Sequence, residues 1–243
     1  MNKGVLSVGI AALGFVLGLW FLGNAVKNRN KSQNTISVTG LGTKKFTSDL
    51  ITWSGNFSRS SFELKAAYDE LANDKRIIEK YLASKGIRKE DMVFSAVDIQ
   101  KQYSYGTDAN GRSTQTFSGY QLSQRVSIDS KNVDQIENLS RNITEIINLG
   151  IEFTSSPPNY FYTKLADVKQ QMTADATKDA KARAEKIAEN AGSSLGDLKK
   201  ATMGVTQITE PNSTEEFSYG GTFNTASREK EASITIKLEY EVE

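Results

Sequence analysis

The chain has 243 residues, 38% hydrophobic and 24% charged, and its 30 basic side chains nearly balance 29 acidic ones. That describes a folded body without the basic surface of a nucleic-acid binder. It contains neither histidine nor cysteine, which excludes a Ser-His-Asp triad, a thiol nucleophile, a dithiol couple, disulfides and ordinary zinc sites.

Residues 4–23, GVLSVGIAALGFVLGLWFLG, carry no charge and as a helix reach roughly 30 Å, the hydrocarbon thickness of a bilayer. The run exceeds the apolar core of about 7–15 residues in a cleavable signal, although Gly23-Asn24-Ala25 would serve as a cleavage site. Residues 1–26 are therefore expected to be a transmembrane anchor or signal-like segment, 27–34 a polar tether, and 35–243 the folded domain. Lys27, Arg29 and Lys31 follow the span and only Lys3 precedes it, a bias that by itself points the domain toward the cytoplasm. Gly14 and Gly18 form a small-xxx-small pair suited to packing between membrane helices.

TISVTGLGTKKF (35–46) reads as a short strand ending in a glycine turn at Gly40-Leu41-Gly42. Lacking the Lys-Ser/Thr of a P-loop, that tripeptide is not a phosphate cradle. SDLITWSGNFSRSS (48–61) alternates with Ile51, Trp53, Gly55 and Phe57 on one face, the period of a half-buried strand. Residues 62–85 shift to a helical period through Leu64, Ala67, Leu71, Ile78 and Leu82, and Gly86 supplies the left-handed stop. MVFSAVDIQKQY and TQTFSGYQLSQRVSID read as a hairpin around GTDANGR. Residues 132–149 return to helix with Ile136, Leu139, Ile143 and Ile146 inward and Gly150 beyond. IEFTSS is a short strand, broken by Pro157-Pro158.

A long helix follows from about 163 to 191, stopped by Gly192. Its inner face is expected to be Leu165, Val168, Met172, Ala176, Ala180, Ile187 and Ala191. Alanine favours helix, and a small-residue face lets a neighbouring backbone come close, with van der Waals contact supplying the energy. Asp179 and Arg183 can pair at i, i+4. KKATMGVTQI is a strand, TEPNSTEEFSYGGTFNTAS a loose segment, and ASITIKLEYEVE a strand with Ile234, Ile236, Leu238, Tyr240 and Val242 alternating. Each long helix ends at glycine and enters strand, loop and strand, with YSYG (103–106) and FSYG (217–220) in the loops. The expected fold class is α+β: antiparallel sheets with long helices packed on one face, in two similar β/α halves.

Two stretches resemble the SIMPL domain family (DUF541). The first carries Ile36, Val38, Gly40, Gly42 and Asp49, with Ser48 where the family's Pro-Asp pair has proline. The second carries Asp179, Ala180, Arg183, Ala184, Glu185, Ala188 and Gly192 in the family's order. The resemblance implies a bacterial envelope protein, inner-membrane anchored with its domain in the periplasm, which outweighs the charge bias. It also implies a homo-oligomer, a link to oxidative stress protection and no defined enzymatic activity. No cofactor, metal or nucleic acid is expected; the membrane, through residues 4–23, is an expected partner. Tyr103, Tyr105, Phe217 and Tyr219 stand in Gly/Ser-rich tips, either as partner contacts or as cross-strand packing. Capture of peptides on a strand edge is the alternative function.

Overall fold

The structure, a computed structural model, describes residues 14–23, 34–107, 111–214 and 218–242. Residues 14–23 are helical and exposed, while residues 4–13 of the expected membrane span lie outside the described residues. Among the described residues no helix is long and apolar enough to cross a membrane.

Period-two alternation and helical stripes sort the domain into strands β1 (Thr35–Thr47), β2 (Leu50–Ser61), β3 (Met92–Phe94), β4 (Asp98–Thr107), β5 (Ser113–Ser130), β6 (Phe153–Ser155), β7 (Asn159–Phe161), β8 (Leu195–Met203), β9 (Gln207–Thr209) and β10 (Glu229–Val242). The helices of the domain are α1 (Leu64–Ser84), α2 (Val133–Asn142) and α3 (Leu165–Asn190). One antiparallel sheet runs β1-β10-β8 with β9 also on β10; the other runs β3-β5-β2-β6, with β4 on β5 and β7 on β2. The first sheet centres on β10, between β1 on one side and β8 and β9 on the other; the second has two long inner strands, with β6 and β7 on β2 and β3 and β4 on β5. Each has its own core. α3 covers one face of the first sheet, and α1 and α2 cover one face of the second.

Several local expectations are corrected. The hairpin holds, but its first strand divides: β4 pairs with Ser113–Ser123 and β3 with Val126–Ile128. α2 ends at Asn142, and residues 143–149 continue as a 3-10 helix that still buries Ile143 and Ile146. Leu64 is exposed, and Val242 is only half-buried. YSYG and FSYG are not structural equivalents, since Tyr103–Gly106 is strand while 218–220 lies at a turn and Phe217 is outside the described residues.

The glycine turn at 40–42 does not exist. β1 runs straight through both glycines, paired with β10 at every residue. The glycines are needed because α3 lies against them. A Cβ on Gly40 would overlap the Ala176 carbonyl oxygen and press on the Ala180 amide and methyl; one on Gly42 would overlap the Met172 carbonyl. The facing residues of α3 are Val168, Met172, Ala176, Ala180, Ala184 and Ala188, all buried. Ile187 and Ala191 are exposed instead. Steps of four follow a ridge inclined to the helix axis, so the contact line slides from Ile187 and Ala191 onto Ala184 and Ala188.

In the second sheet Ile51, Trp53 and Phe57 face the core, and the Phe153 ring fills the space a Cβ on Gly55 would need. The same strand face ends in Arg59, which donates from Nε to Oδ2 (2.5 Å) and from Nη2 to Oδ1 (2.9 Å) of Asp74 in the buried stripe of α1. Nη2 also reaches the Gly150 carbonyl at 2.8 Å. This fork ties α1, β2 and the end of the 3-10 helix together.

Gly40→Ala is expected to destabilise at the upper end of the roughly 1–3 kcal/mol typical of overpacking. Ala180→Gly should not restore it, because the obstruction includes backbone; denaturant unfolding of the two variants and their combination checks this. Arg59→Met should cost about 3–5 kcal/mol by leaving Asp74 buried and unpaired, and Arg59→Met with Asp74→Leu should recover most of it.

Candidate functional site

The two family-like stretches meet in one place. Asp179, flanking the alanine face, accepts a hydrogen bond from the Leu41 amide at 3.0 Å. Leu41 lies between the two glycines on β1, whose neighbour in the sheet is β10. The carboxylate therefore ties α3 to the strand's backbone. Arg183 holds the same carboxylate, Nε to Oδ1 at 3.1 Å. The Leu41 amide foremost, and then Arg183, lower the Asp179 pKa. The pair thus fixes register, beyond the surface i, i+4 contact expected from spacing. Glu185 is exposed and meets Lys181 at 3.7 Å, Ala188 is buried, and Gly192 takes φ +76° at the helix stop.

Asp49 sits where β1 passes into β2, a two-residue corner between the sheets. Its Oδ1 accepts from the Thr163 amide and its Oδ2 from the Thr163 hydroxyl, each at 2.7 Å. This fork fastens the corner to the start of α3. Burial opposes ionisation of Asp49, but the Thr163 donors and Lys164 outweigh it and lower its pKa. At Ser48, the position of the family's proline, the amide donates to the Arg228 carbonyl at 3.0 Å, a bond proline lacks. The Ser48 hydroxyl is buried without a partner among the described residues.

Around this corner the halves are joined by polar and aromatic contacts. Arg228 Nη1 donates to Asp134 Oδ1 (2.6 Å) and Glu137 Oε2 (3.1 Å) of α2. The Tyr160 amide donates to the Thr225 carbonyl at 2.7 Å, and burial, with Glu137 beside it, raises the Tyr160 hydroxyl's pKa. Phe46 packs on Tyr162 and Phe161 on Phe223. The Arg228 Nε, like the Ser48 hydroxyl, is buried without a partner among the described residues; the other groups named in this cluster are engaged with one another.

Hollows lie elsewhere. One of about 520 Å³ at the start of α2 is lined by Arg88, Asp91, Lys131, Asn132 and Gln135. Arg88 is already paired with Asp91 and Glu90. Another, about 340 Å³, lies over Leu41, Val205, Tyr219 and Thr235 on the sheet face opposite α3.

Tyr103 and Tyr105 are strand residues of β4. Tyr103 packs edge-on to Phe117 at 6.0 Å and is 41% exposed, while Tyr105 is 77% exposed. Tyr219 is fully exposed. A Cβ on Gly14 or Gly18 would meet no atom of the described residues within 4 Å. Sequence reasoning missed four buried polar side chains, Asp74, Lys230, Gln207 and Gln124, the last donating from Nε2 to the Ser95 carbonyl at 2.7 Å. Asp74 could have been found, since it fills the gap between Leu71 and Ile78 in the α1 stripe and Arg59 continues the β2 alternation. Lys230, whose Nζ donates to the Asn224 and Ser227 carbonyls, falls on the core face of β10 at the parity of Ile234. Gln207, which receives the Thr222 amide at 2.8 Å and donates to the Ser218 carbonyl at 2.7 Å, had no sequence signal.

A carboxylate with a lowered folded pKa contributes stability above its unfolded value and loses it as pH falls through the folded value. Asp49→Asn should therefore lower the thermal midpoint at neutral pH, and the gap from the unmodified protein should close as pH drops below the ordinary aspartate range. A gap constant with pH would overturn this role.

No curated protein matches the chain. A family model described as SIMPL, a protein of unknown function (DUF541), matches residues 36–242, a span that takes in the glycine strand, the corner aspartate and the alanine helix. The chain belongs to the SIMPL (DUF541) family.

Proposed function

We propose that this chain is a non-enzymatic, membrane-anchored envelope protein that works by assembling with copies of itself. Residues 4–23 hold it in the inner membrane, the domain lies in the periplasm, and its role belongs to envelope or oxidative stress protection. What carries the reading is the use made of the motif residues. Gly40, Gly42, Ala180 and Ala184 form a close-packed seam, and Asp179, Arg183 and Asp49 bind backbone or one another. Those groups are spent on architecture, and what the domain offers outward is strand edges and exposed aromatic rings. Such features suit recognition of polypeptide.

A second reading, capture of extended peptides, has one observation in its favour. α3 packs chiefly over β1 and β10, and the neighbouring strand β8 leaves Leu198 and Met203 exposed, as is Ile187 on the helix. A peptide added along β8 would gain main-chain bonds and cover those side chains.

Light scattering on the full-length protein in detergent separates the two. Self-assembly predicts a protein mass several times the 26.8 kDa chain, persisting on dilution. A monomer at every concentration that binds denatured polypeptide would replace this reading with the second.

A further inference from the structure

β2 stops at Ser61, opposite Tyr120, but the hairpin of β4 and β5 continues. From Gln102 opposite Gly119 to Thr107 opposite Ser113 it is a two-stranded ribbon beyond the sheet, about 20 Å long at strand rise. A bulge between Gln102 and Tyr103, with Ser118 as the extra residue, marks where it leaves the body. Bulges increase strand twist and redirect the strand beyond them. Nearly every residue of the ribbon is exposed. A lone two-stranded ribbon is marginal in water, so this one calls for a neighbour.

Its chemistry says which. Residues 102–107 (QYSYGT) and 113–119 (STQTFSG) carry no charge and no proline, the devices that normally protect a strand edge. β4 pairs with β5 alone among the described strands, so its other edge is open. Tyr103 and Tyr105 share one face, opposite Phe117 and Gln115. Phe62, 67% exposed, extends that face through its contact with Phe117 at 5.3 Å. A neutral edge beside an aromatic face is self-complementary: two copies meet without like charges opposed. Pairing along that edge sets Tyr103 and Tyr105 of one copy beside those of the other, adding ring contact to the main-chain hydrogen bonds.

We propose that this ribbon is a self-association surface whose occupant is the same ribbon of a second copy, β4 beside β4 in antiparallel, two-fold symmetric register. The inference rests on the self-assembly reading and names its contact. Directly opposed residues near the two-fold have Cα atoms about 4.5–5.5 Å apart, within disulfide range. The chain has no native cysteine to confuse a cross-link.

The test uses full-length protein in detergent with Ser104→Cys, Tyr105→Cys and Gly106→Cys made singly, and Lys199→Cys on β8 as control. Oxidation is expected to give covalent dimers from at least one ribbon cysteine and none from the control. Tyr105→Lys and Tyr105→Glu should each raise the concentration needed for assembly at least tenfold, with the thermal midpoint unchanged because the ring lies outside both cores. Mixing the two variants should restore assembly. If the unmodified protein assembles while the charged variants assemble equally well and no ribbon cysteine cross-links, the ribbon contact is overturned and self-assembly stands. If the single variants dissociate and the mixture does not recover, the ribbon docks elsewhere and the proposal is equally overturned. A monomeric unmodified protein overturns the self-assembly reading itself.

Discussion

The approach of α3 to β1, backbone against backbone, is the constraint on which the first sheet rests. Gly40 and Gly42 remove the Cβ atoms that would hold the helix away, and Ala176, Ala180 and Ala184 remove bulk from the other side. Close contact brings dispersion but little side-chain interlock to define register. Asp179 supplies that definition with a charge-assisted bond to the Leu41 amide, and Arg183 orients it. The helix is thus positioned by a hydrogen bond and held by thinness. An alanine-rich helix on an ordinary strand would have neither.

The second sheet obeys a different logic. Its core is built from large side chains, Trp53, Phe57, Leu71, Ile78 and Leu82 among them, and its deep polar feature is the Arg59–Asp74 fork. Asp74 is withdrawn from water and Arg59 only in part, so desolvation offsets much of the attraction within the pair, while losing one partner alone is costly. With separate cores, coupling between the halves falls to the corner at Ser48-Asp49 and the Arg228 cluster. Thr163 at the start of α3 is bound to that corner, so the position of the helix and the position of the joint are set together.

Much of this was legible in the sequence because apolar periodicity is a direct record of burial. The Ile51–Phe57 alternation, the α1 stripe from Ala67 to Leu82, the glycine stops at Gly86, Gly150 and Gly192, and the burial of Ala176 and Ala180 appear as expected, whereas Leu64 and Ala191 are exposed. What was illegible turned on partners distant in sequence. A Gly-x-Gly reads equally as a turn or as a close approach, and only the alanine face more than a hundred residues later decides between them. The α3 face drifted because contact follows an inclined ridge, which depends on the crossing angle with β1. Asp74 hid in a core stripe because its partner Arg59 comes from another element, and Lys230 because its acceptors are loop carbonyls. For the contact candidates the outcome was divided: Tyr103 packs within its own hairpin, Tyr105 and Tyr219 face solvent, and Phe217 lies outside the described residues.

The pairing of β1 with β10 has a mechanical meaning. The chain enters the domain at Thr35, and every residue from there to Thr47 is matched along β10 before the corner passes the chain into β2. A pull applied at residue 34 along the strand loads that ladder in shear, so its bonds resist together instead of parting one by one. Tension arriving at the entry point would be carried lengthwise through the first sheet to the corner, and the seam with α3 would stiffen the strand that bears it.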